Sequence, residues 1–237
     1  MRIAFCLSLL LLPFGMRAQH LTFNEWRTKA FQDLRLLPRF GDTPKTAEQR
    51  ESDADFERLM LANGASHREC SDRLIVLGFE LLGSGDLTHA MFRFNQAFLM
   101  DTTNSDIYRG YGAFFMAMDN TTLAHTMFRA GLSIDPSNTR LLKEEATTYL
   151  AEYHDLKKND PDGATKALDG ATTTLQRAVD VDPEDATTAY KLAVCHLYRN
   201  ECAEARRDLA RSLELGGPGA EPGFQEELDR RCPRKGP

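Results

Sequence analysis

The sequence predicts an all-α chain whose helices pair and stack into a superhelical solenoid, with capping helices at both ends. Three observations lead there. Counting from Ser71, small or apolar residues fall at Leu74, Leu77, Gly78, Leu81, Ala90, Phe94 and Ala97; counting from Ser105, the matching places hold Tyr108, Tyr111, Gly112, Phe115, Ala124, Phe128 and Gly131. The two starts lie 34 residues apart, the period of helix-turn-helix solenoids. Glycine and alanine recur where two helices must approach closely, and large side chains such as Phe94 and Phe128 recur where the space between units must be filled. A single unit is also too small to stand alone. About ten buried side chains at roughly 2 kcal/mol each fall short of ordering the unit at roughly 1–2 kcal/mol per residue, so neighbouring units must share a core.

With Pro136 closing the second unit, the order of aromatic, apolar-Gly, aromatic, Ala, aromatic and terminal Pro resembles the tetratricopeptide repeat family. The resemblance covers about four units over residues 71–218: 71–104, 105–138, 139–185 and 186–218. It implies a right-handed superhelical solenoid whose first helices line a concave groove.

The N-terminus reads MRIAFCLSLLLLPFGMRA. A basic residue, Arg2, precedes an apolar run from Ile3 to Leu12, which the helix breakers Pro13 and Gly15 end before Ala18. Such a run is too short for a membrane span, which takes about twenty residues, and has the layout of a secretory signal. Residues 1–18 are therefore expected to be removed, with Gln19 then first, and the protein is expected to be secreted or periplasmic. No cysteine follows the cut, so lipid attachment there is not expected.

Residues 19–70 are expected to form an N-terminal helical cap. From Thr22 to Leu37, Phe23, Trp26, Ala30, Phe31 and Leu34 fall at helical spacing behind Thr22 as N-cap. Gly41 and Pro44 then mark a loop. A second helix starts near Thr46, whose T-x-x-Q with Gln49 is a capping signal, and ends at Asn63-Gly64. These helices either cap the array or lay Phe23, Trp26 and Phe31 into the groove in cis.

The third unit is longer than the basic period by thirteen residues and carries Glu145 where the first carries Leu77. The run Lys157 to Gly163 reads as turn chemistry, and it lacks the carboxylates of a calcium loop. In the fourth unit, Leu192, Ala193, Ala205, Leu209 and Ser212 repeat the pattern up to Gly216-Gly217-Pro218. In residues 219–237, Phe224, Leu228 and Cys232 then form one helical stripe, the mark of a closing helix.

The full chain of 237 residues is 42% hydrophobic and 27% charged, enough for a substantial core in one domain. Removing Arg2 and Arg17 with the leader leaves 27 of 29 basic residues against 35 acidic ones. A nucleic-acid binder is usually basic, so that class is not expected. Four cysteines follow the leader, and an oxidising compartment favours a bridge. A closing helix that faces the last unit points Cys232 at Cys202, with Cys195 as the second candidate partner; Cys70 lies too far along the chain.

No Walker loop, nucleophile elbow or dinucleotide fingerprint is present, and the histidines form no close metal pair. His89 and His125, near the starts of successive second helices, read as exposed helix residues. No cofactor is expected. The sequon Asn120-Thr121-Thr122 matters only in a glycosylating pathway.

By position, the family resemblance carries its groove-facing places onto Ile75, Phe79 and Leu82 in the first unit and Arg109, Ala113 and Met116 in the second. In the third and fourth units the places fall on Lys143, Thr147 and Leu150, then on Tyr190, Val194, Leu197 and Tyr198. The family's best-known groove holds a peptide carboxylate with Lys and an Asn at place nine. Here that place holds Phe79, Ala113, Thr147 and Val194, so that clamp is absent. What remains is a rather apolar groove with Arg109 and Lys143 at its centre, suited to a peptide with acidic residues. A basic run, Arg199, Arg206, Arg207, Arg211, Arg230, Arg231, Arg234 and Lys235, is a second surface candidate; interleaved Asp208, Glu226 and Glu227 make it read as a solvated face. The expectation is an exported, non-catalytic scaffold for a protein or peptide. The contrasting one is a secreted enzyme or small-ligand binder that uses the array as a frame, with Lys157 to Gly163 as a lid.

Overall fold

A computed structural model describes residues 21–217 and 222–233. Over these residues the chain is helical, with no strand. From Ser66 onward, each helix pair is set by its caps. The first pair is α3 (His67–Gly83) and α4 (Leu87–Met100), preceded by α1 (Phe23–Ala30) and α2 (Ala47–Leu61). Then come α5 (Asp106–Met116) with α6 (Thr121–Ile134), α7 (Thr139–Leu156) with α8 (Pro161–Val181), α9 (Ala186–Tyr198) with α10 (Cys202–Glu214), and a closing α11 (Pro222–Arg231). A left-handed residue reverses the chain inside three of the pairs: Gly85 (φ 84°), Asp119 (φ 55°) and Asn200 (φ 59°). Asp86, Asn120 and Asp160 then accept from the backbone N–H three residues on, satisfying the otherwise unpaired first turn of α4, α6 and α8.

Glycine decides how closely the helices pack. A Cβ on Gly78 would stand 2.4 Å from Phe94 Cε1, and one on Gly110 the same distance from the same atom, so the Phe94 ring sits between α3 and α5. Gly112 makes the same room for Phe128 one unit later. A polar clamp repeats with the same step. Asn104 Nδ2 donates to Ser71 Oγ at 2.9 Å and Asp72 Oδ1 at 2.8 Å. Asn138 Nδ2 donates to Ser105 Oγ and Asp106 Oδ1, both at 2.9 Å. Each of the first two units thus ends on a side chain that ties its last residue to its first two.

Two expected core places differ. Leu77 is 44% exposed, whereas Tyr111 at the same place one unit later is fully buried against Phe94. Tyr111 has a preceding helix pair of the array to pack on, and among the described residues Leu77 has none. Glu145, at that place in the third unit, is buried and paired with Arg129, whose Nε lies 3.2 Å from Glu145 Oε1. His125, expected to be exposed, is buried beside it: its ring lies tilted against that of Tyr149 with centroids 4.2 Å apart, with Glu145 at 3.7 Å and Glu152 at 3.3 Å.

The extra residues of the third unit do not form a loop. α7 has 18 residues against 11 in α5, and α8 has 21 against 14 in α6. Each helix therefore gains close to two turns at 3.6 residues per turn, which keeps its apolar face in phase. Pro161 to Gly163, read from sequence as part of a turn and a lid, form the first turn of α8, with Asp160 as cap and Pro161 at the position that needs no N–H.

The N-terminal segment also departs from expectation. α1 stops at Ala30, and Phe31 is 91% exposed rather than on an apolar face. The Trp26 indole N–H donates to the Leu36 carbonyl at 2.9 Å, and Asp33 caps a short 3-10 turn at Leu34–Leu36, so the chain folds back instead of continuing as helix. A second 3-10 turn, Pro38–Asp42, follows. Asn95 of α4 donates to the carbonyls of Arg35 and Leu37, and Arg39 N–H reaches the Tyr111 hydroxyl at 3.2 Å. Trp26 packs edge-on against Phe114 and Phe115. At 100° per residue, Tyr111, Phe114 and Phe115 lie across α5 from Arg109, Ala113 and Met116. These contacts place the segment on the side of the array opposite the predicted groove, not in it.

At the other end, Leu228 of α11 is fully buried among Ala193, Leu197, Ala205 and Leu209. Cys232 and Cys202 stand at bonding distance with Cα atoms 5.5 Å apart, and Cys70 and Cys195 are buried free thiols.

Candidate functional site

The first helices α3, α5, α7 and α9 bring one file of side chains together across the units. Phe79 of α3 carries the Arg109 guanidinium 4.2 Å from its ring centroid. Arg109 reaches Glu144 of α7 at 3.9 Å, and its buried Nε has no hydrogen-bond partner. Met116 Sδ accepts from Thr148 at 3.4 Å. Lys143 pairs with Asp185, the residue that also caps α9. Burial alone would raise the Asp185 carboxyl, but hydrogen bonds from Lys143 and Thr188 outweigh it and hold the group below its usual value. Across the same file, Lys191 Nζ donates to Thr147 Oγ1 at 2.7 Å, and among the described residues no carboxylate lies within ion-pair distance of it. Burial pushes the Lys191 amine below the ordinary lysine value, with Glu144 opposing that shift.

The predicted lining divides. Phe79, Leu82, Arg109, Met116, Lys143, Leu150, Tyr190, Val194 and Tyr198 are half-buried and present surface. Ile75 is 4% exposed and Leu197 fully buried; both belong to the core between helices and offer nothing to a ligand. Tyr198 stacks on Tyr153 at 5.0 Å, so the lengthened α7 fills that end of the file. The two central cations are not the free charges that the sequence suggests, because Glu144 and Asp185 already face them. Lys191, which sequence reasoning passes over, is the lysine of this file without a carboxylate. Its signal is a lysine as the sixth residue of α9, one turn before Cys195, on a helix otherwise almost uncharged.

Other candidates resolve into structure. Arg199, Arg206, Arg207, Arg211, Arg230 and Arg231 each pair with a neighbouring carboxylate, so the basic run is a neutralised face; Arg234 and Lys235 lie outside the described residues. Burial raises the Cys195 thiol to about 12, which removes it as a nucleophile. An open hollow of about 480 Å³ lies between the α7–α8 hairpin and the α9–α10 turn, lined by Tyr153, Leu168 and Tyr198. Among the described residues no helix is long and apolar enough to cross a membrane.

No family model and no curated protein sequence matches the chain. Solved structures do. The crystal structure of TTC0263, a thermophilic TPR protein of Thermus thermophilus, aligns over 68% of this chain and 80% of its own, with a TM-score of 0.55 and 17% identity. A crystal structure of MamA aligns over 73% of this chain and 96% of its own, at 0.49 and 13%. YrrB, titled a TPR protein with an unusual peptide-binding site, aligns over 74% and 97%, at 0.35 and 16%. The repeating glycine and aromatic packing together with the likeness to TTC0263 establish the fold: it is the tetratricopeptide repeat solenoid.

Proposed function

We propose that this chain is an exported, non-catalytic scaffold that binds an acidic peptide segment of a partner protein along the file of α3, α5, α7 and α9. Lys191 carries the reading. A half-buried ammonium held on a hydroxyl loses hydration without gaining an ion pair among the described residues, Glu144 and Asp185 acting on it only from beyond ion-pair distance. A carboxylate brought by a ligand completes it, and the partly exposed Arg109 guanidinium, only loosely paired with Glu144 at 3.9 Å, offers a second cation further along. Apolar surface at Met116, Leu150 and Val194 takes the ligand's apolar side chains. Export is supported by the layout of residues 1–18 and by a cysteine pair at bonding distance, a bond kept in oxidising compartments.

Selection from a displayed peptide library tests the binding. The native protein is expected to enrich sequences with Asp or Glu beside apolar residues, and the Lys191→Glu variant to lose that set. Enrichment of the same peptides by both proteins contradicts the assignment. Export is read from the mass of the mature protein, which is expected to begin at Gln19.

A further inference from the structure

We propose that the open first face of the array pairs with the same face of a second copy of this chain, α3 lying antiparallel to α3. Within the chain, each unit covers a fixed pair of places on the next: Gly110 and Tyr111 are buried against Phe94 of the unit before. Val76 and Leu77 occupy those places in the first unit, and they are 57% and 44% exposed with α2 and the N-terminal turns already packed. Among the described residues, a solenoid face built to receive a neighbour has none.

Charge on the same stripe specifies the occupant. Arg73, Val76, Leu77 and Glu80 fall within one face of α3 at helical spacing. Arg73 and Glu80 are both exposed, and among the described residues neither forms an ion pair at contact distance; the Arg73 guanidinium donates to the Cys70 sulfur at 3.2 Å and acts on Glu69, one turn before it, only through its longer-range charge. A two-fold axis between residues 76 and 77 sets Val76 against Leu77 of the second copy. The same register sets Arg73 against Glu80 of the second copy, and Glu80 against its Arg73. Glu69, one turn earlier on the stripe, then faces Ser84, so no like charges meet. One helix stripe thus carries an apolar centre and two mutually complementary flanks, the self-complementarity that a two-fold interface requires. The contact is small, so the dimer is weak, with dissociation in the range of about 10–100 µM.

Sedimentation velocity between about 1 and 300 µM tests this, on the full chain and on the form beginning at Gln19. Both are expected to pass from monomer to dimer with concentration. Val76→Asp is expected to abolish the dimer while leaving the helical circular dichroism unchanged, since the residue is exposed. Arg73→Glu and Glu80→Arg each remove both symmetric pairs and are expected to weaken the dimer roughly five- to tenfold, and the double exchange is expected to restore it to within about threefold of the native protein. Monomer throughout in the shorter form overturns the proposal. So does a dimer that survives Val76→Asp, or a double exchange no better than either single one. A full chain that stays monomeric with α3 protected from hydrogen exchange also overturns it, assigning the cover to the chain's own N-terminus.

Discussion

Gly112 lies so close beneath Phe128 that a Cβ added to it would stand 2.1 Å from the ring's Cε1. The two helices of the second unit touch through that gap, and the ring fills it. Gly112→Ala is expected to force the ring or the helix aside and to destabilise the protein by about 1–3 kcal/mol, read as a lowered urea midpoint. Gly83, at the end of α3 with nothing within 4 Å of its added Cβ, is the control. Gly83→Ala is expected to be neutral or stabilising by up to about 1 kcal/mol.

Lys191 costs stability where it stands, because its ammonium is held half out of water without a carboxylate. Lys191→Met is expected to leave folding stability unchanged or raise it by about 1 kcal/mol at neutral pH, since Thr147 still donates to the Lys143 carbonyl. The same variant is expected to lose affinity for acidic peptides at least tenfold, measured by calorimetry on a peptide selected with the native protein.

The Cys202–Cys232 pair closes a separation of 30 residues around the last unit and α11. Under the loop-entropy model a bridge over that length contributes about 3–4 kcal/mol. The unfolded, unreduced form beginning at Gln19 is expected to show two titratable thiols, those of Cys70 and Cys195, and four would remove the bridge. In the native protein at pH 8, Cys195 is expected to resist alkylation, because burial raises its thiol to about 12 and little thiolate forms.

Acid sensitivity follows from carboxyls held below their usual values. Asp185 is one; Asp101 is another, where burial opposes but hydrogen bonds from Thr103 and Arg68 prevail. A depressed folded value contributes stability that is complete above the unfolded value of about 3.9 and is lost as pH falls through the folded one. Stability is therefore expected to fall as pH drops below about 4. Asp185→Asn is expected to lower stability at pH 7 and to flatten that acid limb, both read from denaturant midpoints across pH.

The fold is legible in the sequence because the residues that repeat at 34 positions are those whose size is dictated by neighbours: Gly112 under Phe128, Ala124 and Ala97 at close approaches. Less visible is what depends on a residue's partner rather than its type. The Asn138, Ser105 and Asp106 clamp repeats that of Asn104, Ser71 and Asp72, but no apolar pattern marks it. The added turns of α7 and α8 are hidden because Asp160-Pro161 serves a turn and a helix start equally well. Position alone puts Phe79, Arg109 and Met116 on one surface but cannot tell that Ile75 and Leu197 are buried, nor that Asp185 faces Lys143. His125 misleads for the same reason, since its burial depends on Tyr149 and two glutamates of the next helix.

The claim that a peptide lies along the first helices is tested most directly by mapping where a selected acidic peptide sits, through backbone NMR shifts on titration. Changes concentrated at Phe79, Ala113, Thr147 and Lys191, with none at Asn95 or Phe92 on the opposite side, are the result expected. Shifts confined to α4 and the N-terminal turns, with Lys191 and Thr147 unmoved, would contradict it.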